Sequence, residues 1–588
     1  MTLTRRLMVL AAASSLALAA CGDDDDNGGG GETDTGIDAT DAGGGDTGGD
    51  DTGTDAGGED TGGEDTGGED TGGEDTGGED TGGEDTGGED AGDTTAPEIT
   101  GITITQNPNN VLSAFVEVTT DEVADLVMTV TDPDGEVVFE AMAEDTDTFE
   151  FFAMGMVAET EHTVTIAATD AAGNEGQDSD TYTSGALPDD LPPFEVTVTD
   201  ADAMNGEYTL FNTFQWGDAG PNGEYGFLGI VNAEGDLVWY YRTTEERCDE
   251  HRVTDDGRII YVANDTYMVE IDWTGEELGR VSGVDMGIES IHHEVYPLEN
   301  GNWLTLGSEW REIEGFTNPD DPEGDTISRN VVADRLVEFN FATGEVVNEI
   351  TLFDVWDPLT EVTGLSTNGF WNNHYAEYFE LEATADWTHG NAIVWDAENE
   401  SVIVSLRHMN TLLNISWPDG EIVWEYGPFG DVALAEGTQY PYGSHAPEIG
   451  EDGEILFFDN GNQRPSETFY SRLVKFTITD IDGTLTATET WEYRPEGAIA
   501  PFLGDADDLG TTVLGNFGGS VGRLGNFALP DIKKFGWIVE VTDTEDPQIV
   551  WELFVGDRAD EDFSSWSVYR AQRLDHLGMP MMMDSGDE

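Results

Sequence analysis

His293, His389 and His445 each stand eight residues ahead of a residue in a turn that opens an apolar strand. The turns read Glu299-Asn300-Gly301, Asp396-Ala397-Glu398-Asn399 and Glu451-Asp452-Gly453. The chain has nine histidines, so one offset shared by three of them predicts equivalent places in three copies of a structural unit. Repeated units can bring like residues to a common axis. The product would be a cluster of imidazoles, suited to chemistry on an anionic group. Arg407 ends the strand after His389, in Ser405-Leu406-Arg407-His408, and a hairpin would return it to the same end. Its guanidinium is a planar fork of donors that fits a tetrahedral oxyanion. Asn391 could add a donor from its amide. Histidine is a competent nucleophile toward a transferable acyl, phosphoryl or sulfuryl group, and arginine stabilises charge building on peripheral oxygens. Three imidazoles could instead hold zinc or copper, but an adjacent arginine disfavours a dication, so no metal and no cofactor are expected.

The elements that must position these residues are strands. A tag recurs at Gly235-Asp236-Leu237-Val238-Trp239, Gly420-Glu421-Ile422-Val423-Trp424 and Pro547-Gln548-Ile549-Val550-Trp551. Weaker copies lie at Gly275–Leu278, Gly344–Val347 and Ala487–Trp491. Their spacing, roughly 40 to 75 residues, suits four-stranded blades closed into a ring. The reading is an all-β chain whose residues 186–588 form a six-bladed β-propeller, with the tag tryptophans packed between blades. Strands such as Arg258–Val262, Asn302–Leu306, Val402–Leu406 and Glu454–Phe458 each follow another strand, and the histidines begin those preceding strands, near the mouth of the bore.

Residues 96–185 read as a small immunoglobulin- or fibronectin-III-like β-sandwich. Alternating runs at Phe115–Val118, Leu126–Val130 and His162–Ile166 are separated by turns such as Asp132-Pro133-Asp134-Gly135. Residues 21–95, in which Thr-Gly-Gly-Glu-Asp recurs from about Asp60 to Asp90, carry too little apolar content to offset ordering entropy, so they are expected to be a disordered acidic tether. Residues 1–20 read as a lipoprotein signal. Arg5-Arg6 precede a short apolar run that ends in Leu18-Ala19-Ala20-Cys21, and Cys21 would become the lipidated N-terminus. The expected product is an exported lipoprotein at the outer membrane, on its periplasmic face or the cell surface, touching the membrane through its lipid only. Cys248 is the one remaining thiol, which excludes an intrachain disulfide in the mature chain. With 125 acidic against 21 basic residues the net charge is -104, which argues against a nucleic-acid partner.

The segments Asp386–Asn391, Ser405–Arg407, His445 and Asp459-Asn460-Gly461-Asn462 with Arg464 resemble the arylsulfotransferase family, the bacterial enzymes that work without the nucleotide sulfate donor. The resemblance runs from about Phe194 to Tyr569-Arg570-Ala571. It implies a six-bladed propeller behind a small β-sandwich, and ping-pong transfer of a sulfuryl group from a phenolic sulfate donor to a phenol acceptor. It implies that His445 is the nucleophile. His389 and Arg407 would polarise the sulfuryl oxygens, and the His292–His293 pair would supply the remaining imidazole. His293 is preferred because of its offset, since His292 should point to the opposite strand face. Asn391, His292, Asn460, Asn462 and Arg464 are expected substrate ligands. The base for the acceptor would be His293, Tyr440 or Tyr442. The chain departs from the family in lacking a disulfide near the nucleophile, and in a looser sixth unit at Gly504–Gly518. A non-enzymatic surface propeller that binds carbohydrate or protein is the alternative, and it has no need of the His/Arg cluster.

Overall fold

The computed structural model describes residues 93–216, 226–254, 256–318, 321–360, 365, 371–381, 383–450, 452–462, 464–465, 469–521, 523–524, 527–528, 534–556 and 565–578. The signal, Cys21 and nearly all of the acidic tether lie outside them. The described chain is all-β. Its first five strands, between Ile99 and Thr183, share one antiparallel sheet. The long strand Ala114–Thr131 pairs with Ile99–Gln106 along its first half and with Glu161–Thr169 along its second. Register shifts between Thr119 and Leu126 bend that strand, so a single sheet curls around the Val116, Leu126, Met128 and Ile166 core.

Six larger, mainly antiparallel sheets follow among the described residues, besides the short pair Arg523–Leu524 and Phe527–Ala528. The second runs Cys248–Val253, Ile259–Ala263, Tyr267–Ile271, Glu277–Ser282, each strand paired to the next. The third begins at His292–Pro297, the fourth at Gly390–Asp396, the fifth at His445–Ile449 and the sixth at Asp505–Asp508. Those starting strands touch one another in order and line the axis of a β-propeller. Strands one place further out, such as Ser401–Leu406 and Thr512–Asn516, are buried along their whole length because neighbouring sheets cover both faces.

The ring is closed from both ends of the chain. Phe194–Val198 adds an outer strand to the sixth sheet beside Ile549–Val555. Ala571–Leu574 pairs with Tyr208–Trp216 in the first sheet. The tag tryptophans stand where neighbouring sheets meet. Trp239 packs against Ile259 and Tyr261 of the next sheet, and Trp424 against Ile455 and Phe457. Trp551 packs with Phe211 and Tyr240 across the closing seam.

The third sheet has the longest strands of the six. Its strands Trp303–Phe316 and Ile327–Asn340 overhang the others, and Ala385–Asp386 pairs with the overhang in parallel. The chain between carries the helix Asn372–Phe379, which brings Trp371 down onto the histidines.

Candidate active site

The three-histidine offset has a backbone cause. Pairing of each starting strand with its neighbour skips register just past the histidine: between His292 and Val295, Gly390 and Ala392, and His445 and Glu448. These bulges re-aim the side chains at the sheet edge. His293 and His389 have φ of 63° and 50°, the left-handed region that costs a non-glycine residue energy and is enriched at functional sites. The kink at His293 also overturns one expectation. His292 and His293 do not face opposite ways; their rings meet edge to face with centroids 5.0 Å apart. A left-handed residue interrupts the strand alternation on which that expectation rested.

His445 is 2 % exposed. Its Nδ1 is 2.6 Å from Asn460 Oδ1 and 3.2 Å from Gly443 O, two acceptors, so Nδ1 carries the proton and Nε2 the lone pair. Burial, and then the nearby Arg407 charge, hold this imidazole well below the ordinary value of 6.5, so it is neutral. A neutral imidazole with one fixed lone pair is the nucleophilic form.

His389 lies 5.3 Å from His293, centroid to centroid, and its Nδ1 is 2.5 Å from Asp386 Oδ2. Burial and Arg407 also hold His389 neutral, and burial followed by the three neighbouring histidines does the same to His293. The hairpin returns Arg407 to this end, where its backbone N–H donates to His389 O at 3.0 Å. The guanidinium donates through Nη2 to Pro501 O at 3.1 Å and through Nη1 to His408 Nε2 at 3.0 Å. Its Nε is buried with no acceptor, a donor that an anion would satisfy.

Sequence reading passed over several partners. His408 stacks at 4.6 Å on His389 and supports Arg407. Burial pushes it down to about 3, against the pull of Asp386. Asp386 is shared by His389, His408 and Trp371. Asp386, His389 and His408 place ligand atoms within 4.8 Å of one another, the spacing of a cation site. However, the Arg407 donor makes His408 Nε2 an acceptor, so its Nδ1 carries hydrogen and faces Asp386. Tyr569 lies 5.9 Å from the His293 ring and donates to Asn391 O at 3.2 Å. The signal for Asp386 was its place three residues before His389; for Tyr569, on the returning C-terminal segment, no local pattern existed.

Three expected anion ligands have partners within the protein. Asn391 donates through Nδ2 to Ser444 O at 2.8 Å and clasps the backbone ahead of His445. Arg464 pairs with buried Asp459 and lies 3.9 Å over the Tyr470 ring, while its Nε is buried without an acceptor. Asn460 likewise serves His445. Asn462 sits against Gly443, in the turn before His445, with its Oδ1 buried and unpaired. Tyr440 packs in the core between the fourth and fifth sheets, and Tyr442 lies 5.7 Å from the Arg464 guanidinium.

Fold and site together define a propeller with neutral imidazoles gathered beside Arg407 at one end of its bore. The sequence profile of the arylsulfotransferase (ASST) family matches residues 195–553, and the chain belongs to that family. The arylsulfate sulfotransferase AssT of Escherichia coli O6:H1 is 27% identical over 143 residues, a match spanning 19% of this chain and 23% of that protein. Among solved structures, the periplasmic gluconolactonase PpgL of Pseudomonas aeruginosa aligns with 62% of this chain and 99% of its own, at 10% identity and a TM-score of 0.31. BamB of Moraxella catarrhalis aligns with 70% of this chain and 92% of its own, at 9% identity and a TM-score of 0.24.

Proposed function

We propose that the protein transfers a sulfuryl group from an aryl sulfate to a phenol by a ping-pong route through a sulfated His445. The observation that carries this reading is the fixed tautomer of His445. In the first half, Nε2 attacks sulfur, the N–S bond forms as the S–O(aryl) bond breaks, and the first phenol departs. In the second half, the acceptor oxygen attacks the same sulfur and the N–S bond breaks. Arg407 and His389 neutralise charge on the sulfuryl oxygens as it moves between them. The buried, unsatisfied Nε of Arg407 supports an anion guest over a passive binding surface.

The test is transfer from 4-nitrophenyl sulfate to phenol without added nucleotide. Wild type should release nitrophenol and yield phenyl sulfate, while His445→Asn should do neither. Mass spectrometry of wild type quenched with donor alone should find one sulfuryl group on the peptide holding His445. Transfer retained in the variant would remove His445 from the mechanism.

A further inference from the structure

Sulfuryl exchange between two phenols leaves a proton to account for. The first phenol leaves as a phenolate and must gain a proton; the acceptor arrives as a phenol and must lose one. The two events are separated in time, so the enzyme lends a proton in the first half and recovers it in the second.

A hydrogen-bonded chain suited to that loan reaches the site. His292 is wholly buried at the start of the third sheet. Its Nε2 lies 3.3 Å from Asp334 Oδ1 and 3.2 Å from Gly307 O, both acceptors, so this nitrogen carries hydrogen. Its Nδ1 lies 2.7 Å from His293 Nδ1. Two ring nitrogens approach that closely only with a proton between them. The second oxygen of Asp334 is committed elsewhere: it accepts from Thr388 Oγ and, at 2.6 Å, from Gly390 N. Asp334 is thereby fixed with Oδ1 aimed at His292.

We propose that Asp334 and His292 form the enzyme's proton store and work through His293. This inference rests on the sulfuryl-transfer reading above. In the loaded state His292 is an imidazolium, holding hydrogen on both nitrogens beside the Asp334 carboxylate. His293 holds hydrogen on Nε2 and accepts at Nδ1. As the S–O bond breaks, the Nε2 proton of His293 passes to the leaving oxygen and the shared proton crosses from His292 Nδ1 to His293 Nδ1. Both rings are then neutral. In the second half the acceptor's hydroxyl proton goes to His293 Nε2 and the shared proton returns to His292. His293 is the catalytic acid and base; His292 and Asp334 act through it. Burial pulls the His292 ring below its ordinary value, and the adjacent Asp334 carboxylate opposes that pull in part.

Donors with different leaving phenols test the store. A nitrophenolate departs without a proton, whereas unsubstituted phenolate needs one. In His292→Gln and Asp334→Asn, kcat/KM should fall for phenyl sulfate by about 10²-fold more than for 4-nitrophenyl sulfate, within the range of general acid catalysis. His292→Gln is the decisive variant, because Asp334 also holds the Thr388–Gly390 turn and its loss could disturb the fold. Equal losses for both donors in His292→Gln would overturn the store and leave sulfuryl transfer standing. Failure of wild type to transfer from either donor would instead overturn the function on which it rests.

Discussion

Asn460 presents only its oxygen to His445. Its amide nitrogen is tied down twice, to Ala500 O at 2.8 Å and Leu503 O at 2.7 Å, so Oδ1 is left to accept the His445 Nδ1 proton at 2.6 Å. An amide free to rotate could offer either end; this one has no choice. The tautomer of His445 is therefore set from the loop that leads into the sixth sheet.

Asn460→Ala should separate that control from the nucleophile itself. Without the acceptor, Nδ1 and Nε2 compete for the proton. The rate of His445 sulfation should fall on the order of 10²- to 10⁴-fold, as when an orienting partner is lost from a catalytic histidine. The Ala500 and Leu503 carbonyls also lose their donor, costing about 1–3 kcal/mol of stability each if no water replaces it. Single-turnover release of nitrophenol and a thermal melt measure the two effects. An unchanged burst rate would show that Gly443 O alone fixes the ring.

Arg407→Lys keeps a positive charge and removes the fork. A lysine ammonium cannot hold Pro501 O, His408 Nε2 and an anion in the same planar arrangement. We expect kcat to fall about 10²-fold, the scale of one lost donor to a developing oxyanion, with a smaller change in KM. Steady-state kinetics with 4-nitrophenyl sulfate decide it. Activity near that of wild type would mean that charge alone suffices.

The pH dependence follows from the neutral nucleophile. Protonated His445 has no lone pair, so acid must inhibit the first half-reaction. Burial and Arg407 hold the group well below 6.5, so the neutral form persists into acid and the inhibitory limb is displaced downward. The kcat/KM profile for 4-nitrophenyl sulfate should stay level through pH 6.5 and drop only below it. That donor isolates His445 because its leaving group needs no proton. An acid limb at or above pH 6.5 would contradict the buried, arginine-flanked imidazole.

The ring and the histidine offset were legible in the sequence because each has a local, repeated cause. Trp239, Trp424 and Trp551 recur because every pair of neighbouring sheets needs a large apolar filler at the seam. His293, His389 and His445 share an offset because the same bulge recurs at the start of their strands. The Asp334–His292 and Asp386–His408 contacts were hidden because they join different strands and segments, and no spacing rule connects Asp334 to a ring 42 residues earlier. The partners of Asn391 and Arg464 were hidden for another reason. Residue type says what a side chain can donate, but not which acceptor reaches it first; Ser444 O and Asp459 do. The pairing of His292 with His293 was lost to a backbone angle, which sequence alternation assumes away.

Closure through Phe194–Val198 and Ala571–Leu574 has a consequence for the histidine cluster. Tyr569 stands against His293 and is carried on the segment that completes the first sheet. A chain cut short before Ala571 would lose the strand that anchors Tyr569 beside His293. The arrangement of the histidine cluster thus depends on a segment more than 270 residues downstream of His293, and shortening that segment should disturb ring and cluster together.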